Sequence, residues 1–124
     1  MKVGDYVRYR CAYDNTIKIK KINAIVPPDN LINENYYKFD DYEGTIEKCI
    51  IKSSPNIIDL IEVGDFITYR QGNIYWNVPE RVSGRYNRQN EQTNLIANGT
   101  PLEHLEILTI VTREQFESME YKVN

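Results

Sequence analysis

An eight-residue segment occurs twice in this chain, and the repetition constrains the fold more than any other feature. Residues 3–10 read Val-Gly-Asp-Tyr-Val-Arg-Tyr-Arg and residues 63–70 read Val-Gly-Asp-Phe-Ile-Thr-Tyr-Arg, so five of the eight positions are identical. Each copy begins with a Gly-Asp turn signal and continues as a short run of β-branched and aromatic residues. Because side chains alternate along a strand, Ile67 and Tyr69 are predicted to face the same side. The repeat therefore predicts two matching turn–strand units.

The rest of the chain is patterned as short strands with little helix. We predict a hairpin from residues 5–10 and 16–25, followed by strands at 35–39, 45–52, 66–70, 74–78, 93–97 and 105–111. The polar residues 79–92 show no periodicity and are predicted to form a loop. Asn98-Gly99 is a two-residue turn signal. The fold class is mainly β, a small twisted barrel or sandwich with a duplicated Val-Gly-Asp turn–strand unit and one or two short helices.

Helical signals are confined to two places. Ser54-Pro55 predicts one or two helical turns over 53–61, with Ile57, Ile58 and Ile61 on the buried side. Thr112 to Gln115 is a capping box that begins a final helix, whose Phe116 and Met119 are predicted to pack onto the sheet. The tail 121–123 is compatible with an edge strand. We predict one domain over residues 1–124, with a first β half at 1–52 and a second β half at 53–124 that ends in the helix.

Composition excludes several classes of protein. No run of about 18 apolar residues is present, and the N-terminus lacks an apolar segment typical of a signal peptide, so no membrane association is expected. Without an export signal, Cys11 and Cys49 are predicted to be two buried thiols. A net charge of −3 disfavours general DNA or membrane binding. His104 is the only histidine, so no histidine-pair metal site is expected.

Charge is distributed unevenly along the chain. Four of the seven arginines lie within residues 70–88, where Glu80 is the only acid, whereas six acids and one lysine occupy residues 29–47. Guanidinium groups bind phosphate through a planar fork, and aromatic rings stack on nucleobases. We therefore predict an anionic nucleotide ligand, with phosphate contacts from Arg70, Arg81, Arg85 and Arg88 and stacking surfaces from Tyr75, Trp76 and Tyr86. The amides of Asn73, Asn77, Asn87, Gln89 and Asn90 are interleaved with them.

Other interpretations of the same residues stay open at this point. The 70–88 segment could be a polar hairpin whose arginines pair with the acidic 29–47 segment, within or between subunits. The acidic residues, together with those near the C-terminus, could instead mimic DNA towards a nucleic-acid enzyme. A small nucleotide-cleaving enzyme, for example one using a cysteine with His104, is a third alternative, although no catalytic motif supports it.

Two blocks of sequence resemble a group of small proteins common in phages and prophages of low-GC Gram-positive bacteria. The blocks are Asn-Ile-Ile-Asp-Leu-Ile-Glu-Val-Gly-Asp at 56–65 and Ile-Val-Thr-Arg-Glu-Gln-Phe-Glu-Ser-Met-Glu-Tyr at 110–121, while the Val-Gly-Asp start at 3–7 is similar to that of many members. Residues 71–104 match no member. The resemblance implies a phage accessory protein that counters host defence in the host cytoplasm, either by sequestering a nucleotide messenger or by inhibiting a defence protein.

These observations give one leading hypothesis. We expect a non-enzymatic counter-defence protein, without cofactor or metal, that binds and sequesters a nucleotide-type immune signal. The alternative is a protein–protein inhibitor of a host defence nuclease, acting through an acidic DNA-like surface. Because a small β domain offers shallow sites, we expect a homo-oligomer.

Overall fold

Across its described residues the chain forms twelve short strands, three 3-10 turns and one α-helix, as the mainly β prediction requires. The computed structural model describes residues 1–89 and 91–119. The strands are β1 Tyr6–Arg10, β2 Ile17–Lys21, β3 Ala24–Val26, β4 Tyr36–Lys38, β5 Gly44–Ile46, β6 Ile50–Ser54, β7 Phe66–Gln71, β8 Ile74–Arg81, β9 Ser83–Asn87, β10 Gln92–Ala97, β11 Thr100–Pro101 and β12 Glu106–Val111. The 3-10 turns are Glu47–Cys49, Ile57–Leu60 and Leu102–His104, and the helix α1 is Arg113–Met119. Within the described residues, no helix is long and apolar enough to cross a membrane.

The strands belong to two compact units, Met1–Leu60 and Ile61–Asn124. Each unit contains two antiparallel three-stranded sheets, with strand orders β2-β1-β6 and β3-β4-β5 in the first and β12-β7-β8 and β11-β10-β9 in the second. None of these sheets closes on itself in the described parts of the chain, so of the two predicted architectures the sandwich fits and the closed barrel does not.

The two units repeat the same topology strand by strand. In each, the strand that follows the Val-Gly-Asp turn is central, flanked by the next strand and by the last strand of the unit, and a three-stranded meander makes the second sheet. A 3-10 turn precedes the last strand in both units, and a helical element follows it. The duplication visible in eight residues of sequence therefore extends over the whole chain described here.

A shared set of backbone hydrogen bonds shows how the repeated turn works. The glycine N–H donates to the carbonyl of the residue at which the chain passes from one sheet of the unit to the other, which we call the corner. The N–H of that corner residue donates to the aspartate carbonyl. The pairs are Gly4 with Ile22 and Ile22 with Asp5, and then Gly64 with Val82 and Val82 with Asp65, all at 2.7–2.9 Å. Both glycines have φ near +96°, a conformation that residues with a Cβ rarely adopt. The two corners are separated in sequence by the same 60 residues as the two glycines.

Two apolar residues of each repeat lie in the core, on the shared side of the strand that the alternation predicts. Ile67 and Tyr69 are buried, and so are the equivalent Val7 and Tyr9. In the first unit both sheets contribute to one cluster, in which the ring centroids of Tyr9 and Phe39 lie 4.9 Å apart. Burying an aromatic side chain of this kind stabilises the fold by about 1.5–3 kcal/mol.

Several local predictions are confirmed by the strand pairings. The first hairpin is confirmed where β1 pairs with β2, but the predicted strand 16–25 is too long, because β2 ends at Lys21 and residues 24–25 belong to β3 of the other sheet. The second hairpin pairs β7 with β8. Asn98 and Gly99 have φ of 51° and 77°, as a tight hairpin turn between β10 and β11 requires. In the capping box, Thr112 N–H donates to the Gln115 side chain at 3.0 Å, and Gln115 N–H donates to Thr112 Oγ1 at 3.2 Å.

Other local predictions are wrong or lie outside the described residues. The predicted strand 45–52 is interrupted by the 3-10 turn Glu47–Cys49, and the half boundary at 52/53 falls inside β6 instead of after Leu60. In the second 3-10 turn Leu60 is buried, whereas Ile57 and Ile58 are only half-buried. The rings of Phe116 and Phe66 stack with centroids 4.0 Å apart, but the side chain of Met119 and the tail 121–123 lie outside the described residues. That residues 1–124 form one domain stays a prediction.

The cysteine prediction is partly confirmed. Both thiols are free, and Cys11 is buried as expected, while Cys49 is only half-buried.

The buried aspartate of the second turn generates a stability prediction. Asp65 is 1% exposed, and its carboxylate accepts the Glu62 N–H at 2.8 Å and the Arg113 N–H at the start of α1 at 3.0 Å. Asp65→Ala leaves these donors unsatisfied, so we expect the free energy of unfolding to fall by about 1–3 kcal/mol. Urea unfolding followed by circular dichroism measures the change.

The first turn supplies the matched control. Asp5 is half-buried, and its carboxylate accepts the Lys2 N–H at 3.1 Å. Asp5→Ala should therefore cost clearly less than Asp65→Ala. Equal losses in the two variants would contradict the role assigned to Asp65.

Candidate functional site

Arg70 is the centre of a row of side chains that crosses one sheet of the second unit. Its direct neighbours on the flanking strands are Glu106 of β12 and Tyr75 of β8. The Arg70 guanidinium lies 2.5 Å from Glu106 Oε2, donates to the Tyr75 hydroxyl at 3.4 Å, and lies 5.7 Å from the centre of the Tyr75 ring. The Tyr75 hydroxyl and the charge of Glu106 together raise the pKa of Arg70. Arg70 therefore already has an anionic partner.

Trp76 packs over a buried residue of the core in the same unit. It lies opposite Tyr69 in the β7–β8 pair, and the two ring centroids are 5.9 Å apart. Tyr69 is 1% exposed, whereas Trp76 is 37% exposed. The structure thus places Trp76 and Arg70 on the sheet β12-β7-β8, with packing and ion-pair partners of their own.

A groove of about 520 Å³ lies on the other sheet of the second unit, and three of the predicted residues line it: Arg85, Tyr86 and Arg88. Arg85 faces Asn94 directly across the β9–β10 pair. Because paired residues share a face of the sheet, the amide of Asn94 lies beside the Arg85 guanidinium on the groove side. The volume is within the roughly 300–1,000 Å³ typical of small-molecule sites.

The arginines of this groove differ from Arg70 in their partners. The guanidinium groups of Arg85 and Arg88 form no ion pair or hydrogen bond with any described residue, and both side chains are exposed. Arg81, at the end of β8, is also exposed but does not line the groove. Two forked cations that have no partner among the described residues and line one concave surface are chemically suited to an anionic ligand.

The predicted loop at 79–92 is wrong, and its correction explains where the groove comes from. β8 continues to Arg81, the buried Val82 makes the corner, and β9 runs over Ser83–Asn87. Side chains at the end of β8 and along β9 are mostly exposed on both faces, so no apolar alternation marks residues 79–87 as strands, whereas the strand at 74–78 was predicted. Seven predicted residues therefore divide into a structural row on one sheet, a groove on the other, and Arg81 apart from both.

Sequence reasoning missed part of the groove lining. The residues contributed by β10, the Asn98-Gly99 turn and β11 are Asn94, Ile96, Gly99 and Pro101. Asn90, one of the predicted amides, lies outside the described residues. The duplication itself is the signal that could have located the groove. Since Ile22 makes the corner in the first unit, Val82, 60 residues later, marks the corner of the second unit and the start of the strand after it.

Three of the six acidic residues of segment 29–47 are engaged within the first unit, namely Asp29, Asp41 and Glu43. The Glu43 carboxylate accepts hydrogen bonds from Lys20 at 2.8 Å, Lys18 at 3.2 Å and the Tyr9 hydroxyl at 3.0 Å. Lys20 also pairs with Asp41. The hydrogen bond from Lys20 is the main cause that lowers the pKa of Glu43 and of Asp41. Burial, reinforced by the Glu43 carboxylate, raises the pKa of Tyr9 far above its ordinary value.

Asp29 is engaged by its own turn. Its carboxylate accepts the N–H groups of Leu31 and Ile32 at 2.8 and 2.7 Å, and these bonds lower the pKa of Asp29. The acidic segment thus holds its own turns and lysines in place, which leaves less free negative charge than the sequence suggests.

Comparisons of the chain with protein-family models, curated proteins and solved structures find no match. The groove combines two arginines that have no partner among the described residues with a tyrosine and neutral amides.

The lysine–carboxylate cluster generates a pH prediction. Because the folded-state pKa of Glu43 is below its ordinary value of 4.5, the stability it contributes is present above pH 4.5 and is lost as the pH falls through the folded-state pKa. Glu43→Gln removes this contribution, so we expect a smaller loss of stability between pH 5 and pH 3 than in the unmodified protein. Urea unfolding at a series of pH values measures it.

Glu34→Gln is the control for that experiment, because the Glu34 carboxylate has no bonded partner among the described residues. Between pH 5 and pH 3, the free energy of unfolding of Glu34→Gln should fall by as much as that of the unmodified protein. A loss of stability in Glu43→Gln as large as in the unmodified protein over this pH range would contradict the contribution assigned to the Glu43 carboxylate.

Proposed function

We propose that this protein is a non-enzymatic phage counter-defence protein that binds a nucleotide-type immune signal in the groove of the second unit and sequesters it. The observation that carries the proposal is the pair of arginines, Arg85 and Arg88, which line the same concave surface without an anionic partner among the described residues. The counter-defence role rests on the resemblance of residues 56–65 and 110–121 to phage accessory proteins.

A pair of arginines suits a phosphorylated ligand better than it suits a ligand with a single carboxylate. A phosphodiester or pyrophosphate offers several oxygens to forked donors, and charge-assisted hydrogen bonds of this kind contribute about 1.5–3 kcal/mol each. Arg85 is fixed on β9 by its pairing with β10, whereas Arg88 lies in the turn that follows. One arginine on a strand and one on a turn can approach a phosphate from two directions.

The remaining lining supplies contacts for a nucleobase. Tyr86 is 61% exposed beside Arg85, and stacking on an aromatic ring contributes roughly 1–3 kcal/mol per base. The Asn94 side chain can donate to and accept from a base edge, whereas the Asn87 side chain already accepts the Gln89 N–H at 2.9 Å. We therefore assign phosphate contacts to Arg85 and Arg88 and base contacts to Tyr86 and Asn94.

The lining supports binding without chemical change. Among the described residues that form the groove there is no carboxylate, histidine or thiol to act as a general base or nucleophile. A ligand held by arginines and amides has its charge neutralised, and the described lining places no carboxylate, imidazole or thiol beside it; to the hydroxyl-bearing ring of Tyr86 we assign a stacking role. Sequestration follows from binding of an unaltered ligand, and we propose a homo-oligomer that offers several such grooves in the host cytoplasm.

The protein–protein inhibitor ranks second on the same observations. A DNA-like decoy needs carboxylates free to meet a basic surface, whereas Glu43 and Asp41 are paired with lysines and Glu106 is paired with Arg70.

A ligand panel tests the proposal. The protein is titrated calorimetrically with cyclic mononucleotides, cyclic dinucleotides and cyclic ADP-ribose isomers, and bound ligand is recovered after denaturation. We expect one class to bind with an affinity that falls as salt rises, and to be recovered intact. Arg85→Gln and Arg88→Gln should each weaken binding by about tenfold or more, because each removes a charge-assisted hydrogen bond.

Matched controls come from the arginines outside the groove. Arg81→Gln and Arg70→Gln remove the same charge from the second unit, and both should leave affinity within about twofold. Absence of heat and of thermal stabilisation with every nucleotide would contradict the proposal, and altered ligand after recovery would replace sequestration with an enzymatic activity. If Arg81→Gln weakens binding as much as Arg85→Gln, the groove is not the site.

A further inference from the structure

A second cavity, in the first unit, has a lining unlike that of the groove. It has a volume of about 640 Å³ and lies between the β1–β2 turn and the β4–β5 turn. Three tyrosines, Tyr13, Tyr36 and Tyr42, line it together with Asp41 and Glu43. Tyr13 and Tyr42 are 97% and 104% exposed, so the faces of their rings are open to a ligand. We call this feature the tyrosine cavity.

The ring of Tyr36 is fixed as one wall of the tyrosine cavity. A Cβ atom placed on Gly44 would lie 2.5 Å from both Cζ and Oη of Tyr36. The ring therefore lies directly over the Gly44 backbone, on the sheet β3-β4-β5, where only a glycine leaves room for it. Such a close approach gives a rigid aromatic surface, unlike the two exposed tyrosines on the turns.

The carboxylates beside the rings are already engaged. Glu43 accepts hydrogen bonds from Tyr9, Lys18 and Lys20, while Asp41 pairs with Lys20 and accepts the Glu43 N–H at 3.2 Å. A metal ion, an ammonium or a guanidinium needs oxygen acceptors, and here it would have to share oxygens that each already accept a hydrogen bond. The lysines that occupy them do not line the cavity.

This combination selects one kind of ligand. A quaternary ammonium has no N–H to satisfy, carries its positive charge on a weakly hydrated apolar surface, and is attracted to the faces of aromatic rings. Three tyrosines supply those faces, and the lining residues include carboxylates but no cation. We propose that the tyrosine cavity binds a quaternary ammonium group, a ligand class opposite in charge to that of the groove.

Choline is the probe for this site, with two analogues that separate charge from shape. The compound 3,3-dimethyl-1-butanol has the same shape without the charge, and ethanolamine has a charge with three N–H donors. In a titration followed by the ring proton resonances of the tyrosines, we expect choline to shift Tyr13, Tyr36 and Tyr42 and to bind about tenfold or more tightly than either analogue.

Variants connect the signal to the cavity. Tyr42→Phe keeps the ring and should bind choline within about threefold of the unmodified protein, whereas Tyr42→Leu should lose about tenfold. Gly44→Ala displaces the Tyr36 ring and should lose a similar amount, with circular dichroism confirming that the variant is folded. Tyr42 is fully exposed, so its variants test the site even if Gly44→Ala does not fold. Tyr75→Leu, in the second unit, is the control and should have no effect.

Three outcomes would overturn the proposal. Equal binding of choline and the uncharged analogue would show an apolar cavity without cation selectivity. Tighter binding of ethanolamine would show that the carboxylates are free to accept hydrogen bonds. Tyrosine resonances that do not move at millimolar choline would show that the cavity binds no quaternary ammonium. The nucleotide titration of the groove is independent of each of these results.

Discussion

The backbone hydrogen bonds between the Gly-Asp turn and the sheet corner determine the rest of each unit. In the second unit, Gly64 donates to Val82, and Val82 donates to Asp65. These two bonds bring the residue at the corner against the residue that starts the central strand, so the chain must leave one sheet and enter the next at that point. The Asp65 side chain extends the same arrangement to α1 by accepting the Arg113 N–H. One dipeptide therefore connects the turn, the corner and the helix of its unit.

The corner also determines what each unit can present to solvent. In the first unit the strand after the corner is β3, only three residues long, and Pro27-Pro28 follows it. Proline cannot donate to a strand ladder, so the hairpin ends there. In the second unit the equivalent strand β9 runs over five residues and pairs with β10 as far as Asn87 and Gln92. The longer hairpin carries Arg85 and ends at Arg88, and the groove exists because of that extension.

Sequence predicted the features that depend on neighbours along the chain. The Asn98-Gly99 turn, the Thr112–Gln115 capping box and the strand after each Val-Gly-Asp turn are local arrangements, in which the residues that interact lie within a few positions of one another. Strand β8 was predicted only over 74–78 and β9 was not predicted, because a strand segment that buries neither face shows no apolar alternation. The two strands meet at Val82, a single buried apolar residue whose partner is Asp65, 17 positions earlier.

The division of the predicted site has a comparable cause. Arg70, Arg85 and Arg88 are equivalent in sequence terms, since each is an arginine near aromatic and amide residues. What separates them is the neighbour across the sheet. Arg70 faces Glu106, 36 positions later, and forms an ion pair, whereas Arg85 faces the neutral Asn94 and Arg88 lies beyond the last paired residues. No pattern within residues 70–88 contains that information, because it belongs to β10 and β12.

The carboxylates of the first unit find their partners in a different way, between its two sheets. Lys18 and Lys20 of β2 contact Glu43, which precedes β5 of the other sheet, and Lys20 also pairs with Asp41, so part of the negative charge of segment 29–47 is neutralised inside its own unit. In the second unit, β8 is the equivalent of β2 and has no lysine. Arg85 and Arg88, which follow β8, have no acid on the facing strand β10. Whether a strand arginine of the second unit forms an ion pair within its sheet is decided by the residue on the facing strand, as Glu106 opposite Arg70 and Asn94 opposite Arg85 show. A change of that facing residue alters the charge of the surface without altering the turn that builds the scaffold.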